Sequence, residues 1–148
     1  MIPITSISPA GIARLQRYEA CRLTPYLDSK GLPTIGWGHL IKGDEAFLTD
    51  PNGITQEQAD TLFAQDLKVF VEGVTVLLEV EVTQDQFDSI ASFSFNCGLG
   101  ALRKSTFLRL VNSRAPNDRI RSALEQWRFA GAEPVLLGRR QDEGKAWP

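Results

Sequence analysis

YEACRLTPYLDSKGLPTIGWGHLI, residues 18–41, decides how the chain is read. Its β-prone runs are short and are broken by the turn DSKG at 28–31 and by Gly36 and Gly38. Residues 23–41 are therefore expected to form a small antiparallel sheet rather than a helix. Upstream, Ser8 and Pro9 make a helix start, and Ile12, Leu15, the aliphatic part of Gln16 and Glu19 recur on one broad side, predicting a helix over 9–21. Downstream, KGDEAFLTDPNG at 42–53 mixes charge with turn residues and reads as a surface connection.

The remainder is helical in pattern. Thr55 and Gln58 have the spacing of a capping box, in which each side chain bonds the other's backbone amide. Ala59, Leu62, Phe63, Phe70 and Val74 follow periodically, so a long helix is expected over 55–76. EVEVT at 79–83 is an ambiguous boundary. Thr83 and Gln86 repeat the capping pattern before Phe87, Ile90, Ala91 and Ser94. That helix should turn an apolar stripe to the main core and stop near Asn96-Cys97-Gly98. Ser105 is placed to cap a short helix bearing Phe107, Leu108 and Val111, and Asn117 a later one bearing Ile120, Ala123, Leu124 and Trp127. GAEP at 131–134 should interrupt the latter, and LLGRRQDEGKAWP at 136–148 adds a final short helix.

Composition narrows the class. At 148 residues the chain is read as one globular domain, and its ordinary glycine and proline content gives no support to collagen-like or disordered architecture. Sixteen Lys plus Arg against 18 Asp plus Glu, a formal charge of -2, remove nucleic acid as the first guess for a partner. No run of apolar residues is long enough for a membrane span, and residues 1–8 do not resemble a secretory signal core or a full signal anchor, so stable membrane insertion is not expected. Cys21 and Cys97 form no C-x-x-C or Cys/His cluster and are expected to be free, partly buried thiols, with a bridge between the two as the lesser alternative. Neither a metal nor a cofactor is implied.

Glu19, Asp28 and Thr34 are the candidates for chemistry. Glu19 lies near the end of the first helix, Asp28 falls in the DSKG turn and Thr34 begins TIGWGH, so the turn can fold a second carboxylate and a hydroxyl back toward the first acid. Acetal hydrolysis needs an acid to protonate the departing oxygen and a second group to activate water or stabilise developing positive charge. Two acids among 18 are, by themselves, more often solvated surface groups.

The spacing E19-(eight residues)-D28-(five residues)-T34 resembles the Glu/Asp/Thr signature of phage-type lysozymes, the muramidase endolysins of T4-like and lambdoid phages. ITQEQADTLFAQDL at 54–67, VTQDQFDSIASFSFNCGLG at 82–100, STFLRLVN at 105–112 and GRRQDEGKAW at 138–147 extend the resemblance over most of the chain. It implies an α+β lysozyme-like fold in one catalytic domain, 1–148: a small mixed α/β lobe over 9–54, a connecting helix over 55–76, and a helical lobe over 77–148 to which the N-terminal helix adds packing. It implies hydrolysis of the β-1,4 bond between N-acetylmuramic acid and N-acetylglucosamine in bacterial peptidoglycan, by inversion. Glu19 would be the proton donor, Asp28 the second carboxylate and Thr34 the hydroxyl that positions water.

The same resemblance implies a monomer made in the host cytoplasm that reaches the wall after a holin opens the membrane. His39 is expected to support the sheet through packing or hydrogen bonds, with direct substrate contact as the alternative. Asn96 is weighed evenly between a sugar contact and a cap or turn role. Trp37, Trp127 and Trp147 are read as packing residues, and Arg139 and Arg140 as a surface or inter-helix salt-bridge pair, with contact to the peptide or phosphate-bearing parts of the wall as the alternative. The competing functions are a peptidoglycan lytic transglycosylase, against which Asp28 and Thr34 argue, and a non-catalytic wall-binding module of lysozyme-like fold.

Overall fold

The computed structural model describes residues 3–148. In chain order it contains α1 (Pro9–Tyr18), β1 (Arg22–Leu27), β2 (Pro33–Gly36), β3 (His39–Leu40), a 3-10 turn (Ala46–Thr49), α2 (Gln56–Leu77), α3 (Gln84–Cys97), α4 (Leu99–Lys104), α5 (Thr106–Asn112), α6 (Asn117–Glu125) and α7 (Leu137–Gly144). This is an α+β lysozyme fold: a small α/β N-terminal region followed by a larger helical one. The chain divides into two compact units, Ile12–Val69 and the remainder, and both α1 and α2 run from one unit into the other.

In the small unit, the three strands form an antiparallel sheet in sequence order, with Tyr26 opposite Thr34, Thr34 opposite Leu40, and Ile35 opposite His39. Ile35, Leu48, Ala59 and Phe63 are buried, so one face of the sheet and one stripe of α2 share a core. Gly36 has φ 67°, and a Cβ there would touch the Ala59 Cβ at 3.5 Å. A residue free to adopt that left-handed backbone is what the strand end requires. The capping box holds: Thr55 Oγ1 accepts from the Gln58 amide at 3.1 Å, and Gln58 Oε1 accepts from the Thr55 amide at 2.8 Å.

The helical unit is built around α3. Thr83 and Gln86 form the second capping box, and the helix ends at Gly98, which has φ 99° and whose amide donates a hydrogen bond to the Ser94 carbonyl. Here burial exceeds the expected stripe. Every residue from Phe87 to Ser94 is buried, so α3 is surrounded rather than laid on a core. Trp127 and Phe107 pack on Phe93 at ring-centroid distances of 5.3 and 5.4 Å, and Trp147 packs edge-on against Phe107 at 5.5 Å. This chain of rings gives both tryptophans the packing role expected of them; each buried aromatic contributes about 1.5–3 kcal/mol.

Three expectations need correction. The first helix ends at Tyr18, not residue 21, because the chain from Arg22 onward is taken into the sheet. Asn117 does not cap α6: Pro116 occupies that position, and the Asn117 side chain donates to the Pro148 carbonyl at 3.1 Å. Arg139 and Arg140 are not surface residues, being 7% and 0% exposed. Arg140 Nε lies 2.7 Å from Glu143 Oε1, Ser92 Oγ donates to Glu143 Oε2 at 2.6 Å, and Arg139 Nη2 donates to the Ser92 carbonyl at 3.2 Å. The two arginines thus belong to a buried network joining α7 to α3. Among the described residues no helix is long and apolar enough to cross a membrane.

Candidate active site

Glu19 is the first residue beyond α1. Its amide still closes a helical hydrogen bond to the Leu15 carbonyl at 2.8 Å, so its backbone direction is set by the helix although β1 begins three residues later. It is half-buried.

Asp28 begins the turn after β1. Its Oδ1 accepts from the Lys30 amide at 2.8 Å and the Leu32 amide at 2.9 Å, while its own amide donates to the Leu32 carbonyl at 2.9 Å. This is the turn chemistry for which aspartate is suited. Both donors use the same oxygen, and Oδ2 accepts no hydrogen bond among the described residues. The carboxylate is therefore held by one atom and presents the other.

Thr34 is 2% exposed, and its Oγ1 donates to the Leu32 carbonyl at 2.9 Å. With the hydroxyl proton committed, what remains at this oxygen is acceptor capacity. The turn that orients Asp28 and the bond that orients Thr34 both end on Leu32.

Tyr26 connects these groups and was missed in the sequence. It lies opposite Thr34 across the sheet, and the Arg22 guanidinium stands 4.3 Å from its ring centroid. Burial pushes its phenol above the usual value of 10.0, followed by the negative charge of Glu19; Arg22 acts in the other direction, and Asp28 and Cys21 add to the rise. The position of Tyr26 two residues before Asp28 in a β-prone run was the available signal.

His39 is buried between two carboxylates that sequence reasoning also missed. Its Nδ1 is 2.8 Å from Asp66 Oδ2, and its Nε2 is 3.0 Å from Glu45 Oε1. Burial disfavours the imidazolium, but the bonds from Asp66 and Glu45 outweigh it and raise the histidine above 6.5. Both ring nitrogens are engaged in hydrogen bonds within the small unit. A signal existed: Asp66 occupies an inward position in the helical series Ala59, Phe63, Asp66, where an acid calls for a buried partner.

Trp37 also packs within the small unit, 5.7 Å from Phe63 between ring centroids, and its Nε1 donates to Asp60 Oδ1 at 2.8 Å. Asp60 takes a second bond from Gln56, and these two bonds lower its carboxyl below 3.8. Asn96 lies near the end of α3 in the helical unit, half-buried, and its Oδ1 accepts from the Cys97 thiol at 3.6 Å. Cys21 and Cys97 are both free and half-buried; burial raises the Cys97 thiol against the opposing effect of Arg140.

Residues 16–143 match the family model for phage lysozyme. The chain is 40% identical over 141 residues to the endolysin of Salmonella phage P22, covering 93% of this chain and 94% of that one. It is 36% identical over 149 residues to the endolysin of Bacillus phage B103, whose length it spans by about half, 52%. Among solved structures, a variant of P22 lysozyme superposes with a TM-score of 0.80 at 36% identity, covering 97% of this chain and 99% of that one. The muramidase domain of SpmX from Asticaccaulis excentricus also gives 0.80, at 30% identity, with coverage of 97% and 98%. The chain belongs to the phage lysozyme family, whose chemistry is the cleavage of a glycosidic bond.

Proposed function

We propose that this protein is an endolysin that hydrolyses the β-1,4 bond between N-acetylmuramic acid and N-acetylglucosamine in bacterial peptidoglycan and so lyses the host cell. The observation that supports the reading is the turn ending on Leu32, which holds Asp28 by Oδ1 alone and fixes the Thr34 hydroxyl, in a chain of the phage lysozyme family. A proton-donating acid, a second carboxylate and a hydroxyl meet the needs of acetal hydrolysis.

In this reading Glu19 gives its proton to the glycosidic oxygen as the bond to the anomeric carbon breaks. Asp28, through the oxygen its turn leaves open, stabilises the positive charge developing at that carbon and orients the incoming water. Thr34 accepts a hydrogen bond from that water, since its own proton is held by Leu32. The water oxygen bonds to the anomeric carbon from the face opposite the leaving group, one of its protons passes to Asp28, and the configuration inverts. Asn96 contributes a sugar contact. The protein acts as a monomer without a cofactor, is made in the host cytoplasm, and reaches the wall when a holin permeabilises the membrane.

The test is digestion of purified peptidoglycan by the protein and by Glu19→Gln, with matched folding checks. Muropeptides gaining one water, an initially inverted anomer by NMR, and loss of turnover in the variant with binding retained are expected. Anhydro-sugar products would make the protein a transglycosylase, a retained first anomer would remove the inversion, and binding without turnover by the unmodified protein would leave a wall-binding module.

A further inference from the structure

The formal charge of -2 conceals a segregation. Residues 99–121 contain six basic side chains, Arg103, Lys104, Arg109, Arg114, Arg119 and Arg121, and one acid, Asp118, a local charge of +5. Between Lys68 and Arg103 there is neither Lys nor Arg, but there are five acids. The small unit that carries Glu19 and Asp28 holds six basic residues and eight acids over 12–69. Attraction of an anionic polymer must come from elsewhere.

The basic run folds as α4, α5 and α6 in the helical unit. Phe107, Leu108, Leu110 and Val111 bury the inner side of α5, and Ile120 and Leu124 that of α6. Arg103, Lys104, Arg109, Arg114 and Arg119 are exposed, and none has an ion pair or side-chain hydrogen bond among the described residues. Arg121 is half-buried and donates to the Trp147 carbonyl. Arg109 is the one charged residue of α5, and in the chain it falls between Arg103 and Lys104 at the end of α4 and Arg114 and Arg119 at the entry to α6.

Local structure explains only some of these residues. Arg103, Lys104 and Arg109 lie in the last turns of α4 and α5, where the helix dipole favours a cation. Arg119 lies in the first turn of α6, where the dipole opposes one. Arg114 has φ 54°, the one non-glycine residue with positive φ among those described, in a turn that glycine or asparagine would fit with less strain. Neither arginine is there for the backbone's sake.

We propose that the exposed basic surface of α4, α5 and α6 is a docking surface that holds the protein on peptidoglycan by binding the free carboxylates of its peptide stems. The proposal rests on the substrate reading above and adds the group on the wall that is recognised away from the scissile bond. Charge complementarity is the argument: the stems repeat fixed negative charge along the glycan, and this surface concentrates unpaired positive charge in a chain that is otherwise acidic.

The test is cosedimentation with purified sacculi stripped of secondary wall polymers, across a range of ionic strength, beside sacculi whose stem carboxylates have been amidated. The protein should bind native sacculi, release with rising salt, and bind amidated sacculi about 10-fold less at low salt. Arg109→Gln/Arg114→Gln/Arg119→Gln should lose a similar factor on native sacculi with a flatter salt dependence, and the corresponding triple lysine variant should retain binding. Should the glutamine triple variant fail its folding check, Arg103→Gln/Lys104→Gln serves as the second probe, with a smaller loss expected.

Equal binding of native and amidated sacculi, or of protein and a folded glutamine variant, would overturn the proposal. So would tighter binding to phosphatidylglycerol vesicles than to sacculi at the same salt, which would assign the surface to lipid headgroups. Release of muropeptides from the same native sacculi is measured in parallel. Failure there strikes the catalytic reading, whereas the binding comparison decides the surface independently.

Discussion

The Nδ1 atom of His39 lies 2.8 Å from Asp66 Oδ2, a bond between residues 27 apart that ties strand β3 to helix α2. Glu45 takes the other ring nitrogen, so the imidazolium links three segments of the small unit. Because folding raises the histidine above 6.5, the stabilisation is complete below that value and fades as pH rises through the folded value. Asp66, raised by burial against its bond to His39, acts in the same sense at acid pH. Glu45 acts oppositely: burial alone would raise it, but the Lys42 amide and His39 lower it, so its contribution disappears as pH falls through its folded value. His39→Gln should lose about 2 kcal/mol at mildly acidic pH, the scale of hydrogen bonds to charged groups. Urea titrations at a series of pH values check this; the loss should shrink in alkali.

Gly11 reverses the usual preference for alanine inside a helix. In an open position the exchange would stabilise α1 by about 1 kcal/mol. Here a Cβ would stand 2.7 Å from Asp88 Cγ and 2.7 Å from Ile7 Cγ2. The Asp88 carboxylate has little freedom to move, since it is bonded by the Ser8 amide at 3.0 Å, by the Ser8 hydroxyl, and by Gln84 Nε2 at 2.8 Å. Gly11→Ala should therefore lower stability by about 1–3 kcal/mol. A midpoint rise on thermal or urea unfolding would contradict the crowding.

Local chemistry made much of the fold legible. Thr55 with Gln58, Thr83 with Gln86, and Ser105 set their helix starts through bonds within four residues, and the DSKG turn set the sheet. Long-range partners were not legible in the same way. Nothing near His39 names Asp66, and nothing near Arg140 names Ser92, Cys97 or Phe93, because those contacts exist only after α2 and α3 have packed. The burial of every residue from Phe87 to Ser94 in α3 was hidden by Ser89, Ser92 and Ser94, which read as a polar side until Glu143 arrives as a buried partner for Ser92. For the candidate site, the pattern pointed to Glu19, Asp28 and Thr34. The register that sets Tyr26 opposite Thr34 had to be seen.

Arg140 and Glu143 are both fully buried, and their ion pair should show the asymmetry expected of buried charge. Arg140 also donates to Cys97 Sγ at 3.0 Å and stands 5.2 Å from the Phe93 ring centroid. Glu143→Leu would leave Arg140 desolvated and uncompensated, at a cost of about 3–5 kcal/mol. Replacing both, Arg140→Met with Glu143→Leu, should recover most of that loss. A double-mutant cycle on unfolding free energies measures the coupling; additive losses would mean that the two charges act separately.

Tyr26 supplies a spectroscopic readout of the candidate site that does not depend on turnover. The chain has two tyrosines, so Tyr18→Phe isolates the Tyr26 phenol in an ultraviolet pH titration. Burial and the charges of Glu19 and Asp28 raise it, so ionisation should begin above the ordinary value of 10.0. Glu19→Gln removes the larger of the two carboxylate contributions and should shift the titration back toward 10.0. Asp28→Asn should do the same to a lesser degree, and Arg22→Gln should move it upward. Raising salt should reduce the shifts caused by exposed charge more than the part caused by burial. Unchanged titrations in both carboxylate variants would mean that neither Glu19 nor Asp28 acts on the Tyr26 phenol, and that burial alone raises it.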